Sequence, residues 1–330
     1  VSMKYSLTFL VITFLYASIV EANTYKNTND QLNDKTFDQL MTWIFDGKKG
    51  PKRIEIDTSN QWQELSSYQT NYAVWIGHAT YLINNGDLNI LTDPIFSKRA
   101  SPFGFAGPKR MIPPVMSLTD LPRIDVVVVS HNHYDHLDTW SLKKLYKLNS
   151  ETIFLVPKGD GKRLISLGLN NVYEMNWWDE FKINDTNFYF TPVQHWSKRG
   201  LFDRNKSLWG GWFIKTNTLA LYHAGDTGYS NDFKATYKRL GAPDYSFIPI
   251  GAYDPRWFMK DSHVNPEEAV QIALDLQSPY SFGMHWGTFI LTDEPVAEPP
   301  QRLKVELDKR GLSPDFFRSP KPGEILKLSK

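Results

Sequence analysis

The nine residues Ser130–Asp138, SHNHYDHLD, hold three of the chain's eight histidines together with two aspartates. Neutral imidazole and carboxylate are the donors that suit zinc and its first-row neighbours. His131 and His133 stand two apart and can point the same way, and Asp135 and His136 follow where the chain must turn. The chemistry open to such a set is metal-assisted hydrolysis, and a solvated polar loop is the ordinary alternative. A hydrolytic zinc site takes about three protein ligands per metal and leaves a position for water, so further ligands must come from elsewhere. Three later stretches have the same form, an apolar run ending in a ligand: FYFTPVQHW in His195, LALYHAGDTGY in Asp226, and YSFGMHWGTF in His285. One histidine alone would be an unremarked core or surface residue. Four such ends in the order HxHxDH, H, D, H form a specific series.

The elements that must carry these ligands are short strands. Val126 to Val129 is a continuous β-branched run, suited to a strand buried on both faces. YAVWI, LNILT, TIFLV, GWFIK and YSFIPI read as further strands, and WSLKKLYKL, SNDFKATYKRL and NPEEAVQIALDL as helices. In the last, Asn265 is placed to cap, Pro266 takes the first helical position, and Glu267 and Glu268 fill the first turn. Strands interleave with helices, so the class is mixed α and β.

Residues 1–22 read as a secretory signal peptide: Lys4 precedes an uncharged run, Leu7 to Val20, too short to span a bilayer comfortably. An exported location is therefore expected. Residues 23–70 read as a polar, flexible, Asn-rich segment to about Asp34, then a helix over TFDQLMTWIFDG. Thr36 would cap that helix, Gly47 would end it, and Phe37, Leu40, Met41 and Ile44 share its apolar face. The helix suits packing on the domain or a membrane surface equally. Residues 71–330 read as the domain that carries the ligand series. The chain has no cysteine, which removes disulfides and thiolate chemistry. A net charge of +1 leaves no electrostatic footprint for nucleic acid.

The ligand order resembles that of the metallo-β-lactamase superfamily. That resemblance implies an α+β fold, a four-layer αβ/βα sandwich with metals at one edge. It implies two zinc ions, one held by His131, His133 and His195, the other by Asp135, His136 and His285, with Asp226 shared. A narrower resemblance rests on GHATYLI, LTDPIFSKRASPFGFAGPKR, SHNHYDHLD, QHWSKR, HAGDTGY, IPIGAYDPRWFMK, HVNPEEAV and HWGTF. Together these are similar to the N-acylphosphatidylethanolamine-hydrolysing phospholipase D family, from which a secretory leader would be a departure. The implied activity is zinc-dependent phosphodiester hydrolysis by a metal-bridging hydroxide, giving N-acylethanolamine and phosphatidic acid. Asp135 and His263 are then expected at the chemistry, and Arg256, Trp257 and Trp196 at the substrate.

Asp93 and His78 are candidates to orient the ligating groups, and His223, inside a strand-like run, is read as structural. Phe96, Phe103 and Phe105 beside Lys98, Arg99, Lys109 and Arg110 suit a membrane surface. The expected partners are a phospholipid and a membrane, with homodimerisation open. The competing readings are a soluble hydrolase of the same fold, such as a lactonase, and a non-catalytic lipid-binding protein.

Overall fold

The computed structural model describes residues 24–31, 33, 35–45, 51–68 and 70–329. The expected leader lies outside them. Alternating side chains build two seven-stranded sheets packed face to face. The first has strand order β14-β1-β2-β3-β4-β5-β6. It comprises β1 (Tyr72–Gly77), β2 (Thr80–Asn84), β3 (Asn89–Thr92), β4 (Val126–Val128), β5 (Ile153–Pro157), β6 (Val172–Met175) and the returning β14 (Ile325–Lys327). The second has the order β13-β12-β11-β10-β9-β8-β7. It comprises β7 (Glu180–Ile183), β8 (Thr186–Thr191), β9 (Gly211–Lys215), β10 (Ala220–His223), β11 (Tyr245–Pro249), β12 (Tyr280–Met284) and β13 (Phe317–Arg318).

In the first sheet the period of two sorts residues between two cores. Ala73, Trp75, Tyr81, Ile83, Val126 and Val128 face the second sheet, where Phe188, Trp212, Tyr222 and Phe247 meet them. Val74, Ile76, Leu82, Val127 and Val129 face outward onto Leu142 and Leu145 of the helix Thr139–Leu148. Both faces of β4 are thus buried, as its β-branched run requires. The helices, in chain order, are α1 (Phe37–Phe45), α2 (Thr139–Leu148), α3 (Gly161–Ser166), α4 (Asp232–Leu240), α5 (Arg256–Met259), α6 (Pro266–Asp275) and α7 (Glu298–Arg310). Helix α6 starts with the expected Asn265–Glu268 capping box and buries Ala269, Val270, Ile272 and Ala273 in the core beside the second sheet. The result is the expected four-layer sandwich.

Parallel pairing sets the site's position. Strands β10, β11 and β12 run parallel, and β8 runs with β10 because both are antiparallel to β9. Their carboxyl ends therefore emerge at one edge, together with the end of β4.

In the N-terminal region one expectation needs correcting, and the helix docks by a residue outside its expected stripe. The described residues before Asp34 are not loose: Asn27 and Asn33 are buried, and the Tyr25 N–H donates to the Asn205 carbonyl at 2.7 Å. Helix α1 forms, and Thr36 caps it, since its Oγ1 accepts from the Gln39 N–H while Gln39 Oε1 accepts from the Thr36 N–H. It does not dock by the stripe read from the sequence, because Phe37 is 72% exposed and Leu40 is also exposed. Trp43 docks instead, stacking on Phe258 at 4.9 Å and donating Nε1–H to Asp293. The Ile44 side chain and Gly47 lie outside the described residues.

Candidate metal centre

Each expected ligand follows a strand end, and the structure brings all seven together. His131 Nε2 and His133 Nδ1 are 2.8 Å apart, and His195 Nε2 is 3.3 Å from His133 Nδ1. In the second set, His136 Nε2 and His285 Nε2 are 3.2 Å apart, each 3.5 Å from Asp135 Oδ2. Asp226 stands between the sets. Its Oδ2 lies 3.1 Å from His136 Nε2, 3.8 Å from His131 Nε2 and 3.9 Å from His195 Nε2, and its Oδ1 lies 3.0 Å from His285 Nε2. Donors about 2.0–2.1 Å from a tetrahedral zinc stand about 3.4 Å from one another, so this spacing fits a cation in each set.

The hydrogen bonds on the far side of the rings fix the tautomers. His136 donates Nδ1–H to Asp93 Oδ2 at 2.8 Å, and His195 donates Nδ1–H to the Ser262 carbonyl at 2.9 Å. Ser130 Oγ gives its own proton to Asp93, so it accepts from His131 Nδ1–H. The lone pairs left over on His131 and His195 point inward, which is how a ligating imidazole is held. At His136 and His285 the neighbouring carboxylates outweigh burial and raise both, so each carries on its inward side a proton that a bound cation would displace. His133 Nε2 and His285 Nδ1 are buried without a hydrogen-bond partner, and Asp226 Oδ1 meets the His285 ring nitrogen alone among the described residues, so the carboxylate keeps acceptor capacity that a bound cation would use.

Burial pushes His131 and His195 far down and His133 down to about 4, so these rings are neutral at pH 7. Burial alone would raise Asp135 and Asp226, but the charge and N–H groups of His136 and His285 outweigh it and hold both carboxylates well below their usual range.

Asp93 and His78 both hydrogen-bond to candidate ligands, the arrangement an orienting role requires. Besides His136, Asp93 accepts from the Ser130 N–H and Oγ. His78 Nε2 reaches Asp135 Oδ2. Both have positive φ, 36° and 55°, as does His285 at 65°. Left-handed backbone at three non-glycine residues around one centre is strain that the surrounding structure sustains. Gly251, which packs against this loop, has no room for a side chain: a Cβ there would meet the His285 carbonyl at 2.3 Å. His223, read as structural, lies 3.1 Å from the Ala79 carbonyl.

A cavity of about 510 Å³ opens onto the centre. His133, Asp135, Asp226 and His263 form its polar floor, Trp43, Leu40, Trp196 and Phe258 its apolar walls, and Lys35, Lys198 and Arg204 its cationic rim. His263 Nδ1 is buried without a partner, 3.9 Å from Asp226 Oδ2. Burial pushes it down to about 4. Trp196 meets His133 edge-on at 4.4 Å and carries the Arg204 guanidinium on its face.

Arg256 and Trp257 do not line this cavity. The Arg256 guanidinium is taken up by the His263 carbonyl at 2.7 Å and by Glu268 at 2.8 Å. The short α5 turn presents Phe258 and Met259 to the cavity, and Trp257 remains half exposed. Arg256 thus holds the backbone of His263, a role the sequence reading did not give it. Arg199 was also missed: its Nη1 donates to the carbonyls of Asn132 and Leu137, tying down the HxHxDH loop. The signal was available in QHWSKR, a cation four residues after a ligand, but nothing in it indicates a target 62 residues away.

Comparison with known proteins agrees with this geometry. The sequence model described as a beta-lactamase superfamily domain matches residues 88–286. The chain is 42% identical over 270 residues to the N-acyl-phosphatidylethanolamine-hydrolyzing phospholipase D 1 of Caenorhabditis elegans, covering 78% of this chain and 76% of that one. It is 38% identical over 242 residues to the mitochondrial N-acyl-phosphatidylethanolamine-hydrolyzing phospholipase D of Saccharomyces cerevisiae, covering 71% of this chain and 51% of that one. Among solved structures, Igni18, a metallo hydrolase from Ignicoccus hospitalis, superposes with a TM-score of 0.61 at 21% identity, over 79% of this chain and all of that one. The last likeness is one of fold.

Proposed function

Because the chain belongs to the beta-lactamase superfamily and, within it, to the N-acyl-phosphatidylethanolamine-hydrolysing phospholipases D, a metal-dependent hydrolase is its function class, and we propose that it is a dizinc phosphodiesterase cleaving N-acylphosphatidylethanolamine to N-acylethanolamine and phosphatidic acid. The observation that carries this reading is Asp226, whose carboxylate is shared between two imidazole sets at the floor of a cavity with apolar walls and a cationic rim.

His131, His133 and His195 would hold one zinc, Asp135, His136 and His285 the other, with Asp226 common to both. Two such ions supply a nucleophile at neutral pH and take up charge at phosphorus. The chain's own residues do the rest. His78 and Asp93 hold Asp135 and His136 in place. Lys198 and Arg204 meet the anionic diester at the rim. Trp43, Leu40 and Phe258 form an apolar wall against which acyl chain can pack. His263, neutral and with Nδ1 unclaimed 3.9 Å from Asp226 Oδ2, would hydrogen-bond the diester or a water that supplies the proton of the leaving alkoxide.

A membrane partner is supported by the apolar side chains beside the cleft. Phe103, Phe105, Leu201 and Phe202 are all more than half exposed. Phe103, Lys98, Arg99 and Arg199 line a groove that shares Tyr134 with the cavity. Exposed aromatics interleaved with cations suit the boundary between headgroups and acyl chains. No helix among the described residues is long and apolar enough to cross a membrane; the mode proposed from these exposed rings is surface docking.

The test is zinc-loaded protein with liposomes carrying N-acylphosphatidylethanolamine, followed by mass spectrometry with a chelated control. Equal amounts of the two products, abolished by chelator, are expected. Cleavage of a lactone or a simple phosphodiester with the lipid untouched would sink the lipid assignment.

A further inference from the structure

The segment before α1 reaches the metal centre from behind. His195 follows the end of β8 at a point where no strand pairs with it, yet it is fully buried. A buried backbone N–H and C=O must both find partners. Asn27 supplies both. The His195 N–H donates to Asn27 Oδ1 at 3.0 Å, and Asn27 Nδ2 donates to the His195 carbonyl at 3.1 Å. The carboxamide therefore pairs with one residue's main chain as a neighbouring strand would.

Asn27 is itself over-determined. Trp209 Nε1–H also donates to its Oδ1 at 3.0 Å, and its Nδ2 also donates to the Gln31 carbonyl at 2.9 Å. Asn33 adds a second donor to the His195 carbonyl at 3.3 Å while bonding the Asp261 carbonyl at 2.7 Å. Two asparagines of the Asn-rich stretch thus converge on the main chain of one imidazole, far upstream of the residues that the superfamily match spans.

We propose that Asn27 is a positioning residue for the metal centre, its carboxamide, seconded by Asn33, acting as a brace that fixes the direction of His195 Nε2. On its far side the ring is tethered from Nδ1 to the Ser262 carbonyl, and that bond sets its rotation about the side chain, not the path of its backbone. Only an amide side chain serves both main-chain groups. An aspartate at 27 keeps the acceptor and loses the donor, and an alanine loses both. The inference rests on His195 being a ligand and is independent of which ester is cleaved.

The experiment uses the full chain loaded with zinc or with cobalt(II). It measures the rate of metal transfer to a chromophoric chelator and the visible spectrum of the cobalt form. Asn27→Ala should release metal about 10–100-fold faster and alter the cobalt spectrum, with Asn27→Asp between it and wild type. Thr28→Val is the control. Thr28 Oγ1 ties the same segment to Asp232 Oδ1 at 2.6 Å and touches no ligand, so its release rate should equal wild type. A wild-type release rate in folded Asn27→Ala overturns the proposal, as does a Thr28→Val rate equal to that of Asn27→Ala. Should Asn27→Ala fail to fold, a wild-type rate in Asn27→Asp overturns it equally. A wild-type protein that binds no metal removes the metal centre itself, and the brace with it.

Discussion

His78 Nε2 lies 2.8 Å from Asp135 Oδ2, which joins the tight turn between β1 and β2 to the ligand loop after β4. Burial pushes His78 down to about 3, so the ring is neutral and its single N–H orients the carboxylate without adding charge. The turn is held in its strained form by Thr288 Oγ1, which accepts the His78 N–H, and by the His78 carbonyl, which accepts from Trp75 Nε1 and the His285 N–H. His78→Ala is expected to lower turnover about 10–100-fold, with partial recovery in His78→Gln, whose amide can still donate. Asp135→Asn should abolish measurable turnover with an unchanged circular dichroism spectrum. Steady-state kinetics on the three variants checks the order.

Asp93 makes a different demand. It is fully buried and accepts three bonds, from the Ser130 N–H, Ser130 Oγ and His136 Nδ1. Asn at this position has one acceptor oxygen and an N–H₂ that faces another donor. Asp93→Asn should therefore weaken metal retention, again by about 10–100-fold. Competition with a chelator, followed by metal analysis of the dialysed protein, measures it.

The ligand series was legible in the sequence because strands end in unlike residues: an apolar run closing on His or Asp is visible without knowing what it faces. The same logic found β9 to the residue and α6 by its cap. What was illegible depended on distance. Helix α7 begins Glu298-Pro299-Pro300, which reads as a loop until the missing N–H groups are seen to fall in the first turn, where none is needed. β13 and β14 are too short to show a period. Asn27 looks like any loop asparagine, since its partner is 168 residues away. Arg256 carries the charge expected of a phosphate contact, but its target is the carbonyl of His263.

Asp160 gives a prediction with a sign in pH. It is fully buried, and burial outweighs the bonds from Asn132 and Ser207 to raise it to about 6. Its Oδ2 has no partner. A folded pKa above the unfolded value means the native state binds the proton more tightly, so stability falls as pH rises from about 4 through about 6. Asp160→Asn fixes the uncharged form at every pH. It should be more stable than wild type at pH 7.5, by on the order of 1–3 kcal/mol, with the gain disappearing near pH 4. Urea melts at both values decide it, and a gain independent of pH would exclude the charge as its cause.

Substituting the exposed rings beside the cleft tests the proposed membrane docking apart from bond cleavage. Phe103 and Phe105 pack against each other at 5.6 Å in a loop closed by the Arg99–Lys109 bridge, and Phe202 stands on the loop that follows Lys198 and Arg199. None of the three belongs to the metal centre or lines its cavity. Burying a phenylalanine in an apolar phase contributes about 1.5–3 kcal/mol. Even partial insertion of three rings therefore shifts membrane partitioning by more than about tenfold. The triple change Phe103→Ser, Phe105→Ser and Phe202→Ser should lower sedimentation with liposomes and raise the apparent KM for vesicle-borne substrate by at least that factor. Turnover of a short-chain, monomeric analogue should stay at the wild-type value, because the ligands, His263 and the cationic rim are untouched. An equal loss on both substrates would place these rings in the architecture of the cleft and remove the membrane-docking face.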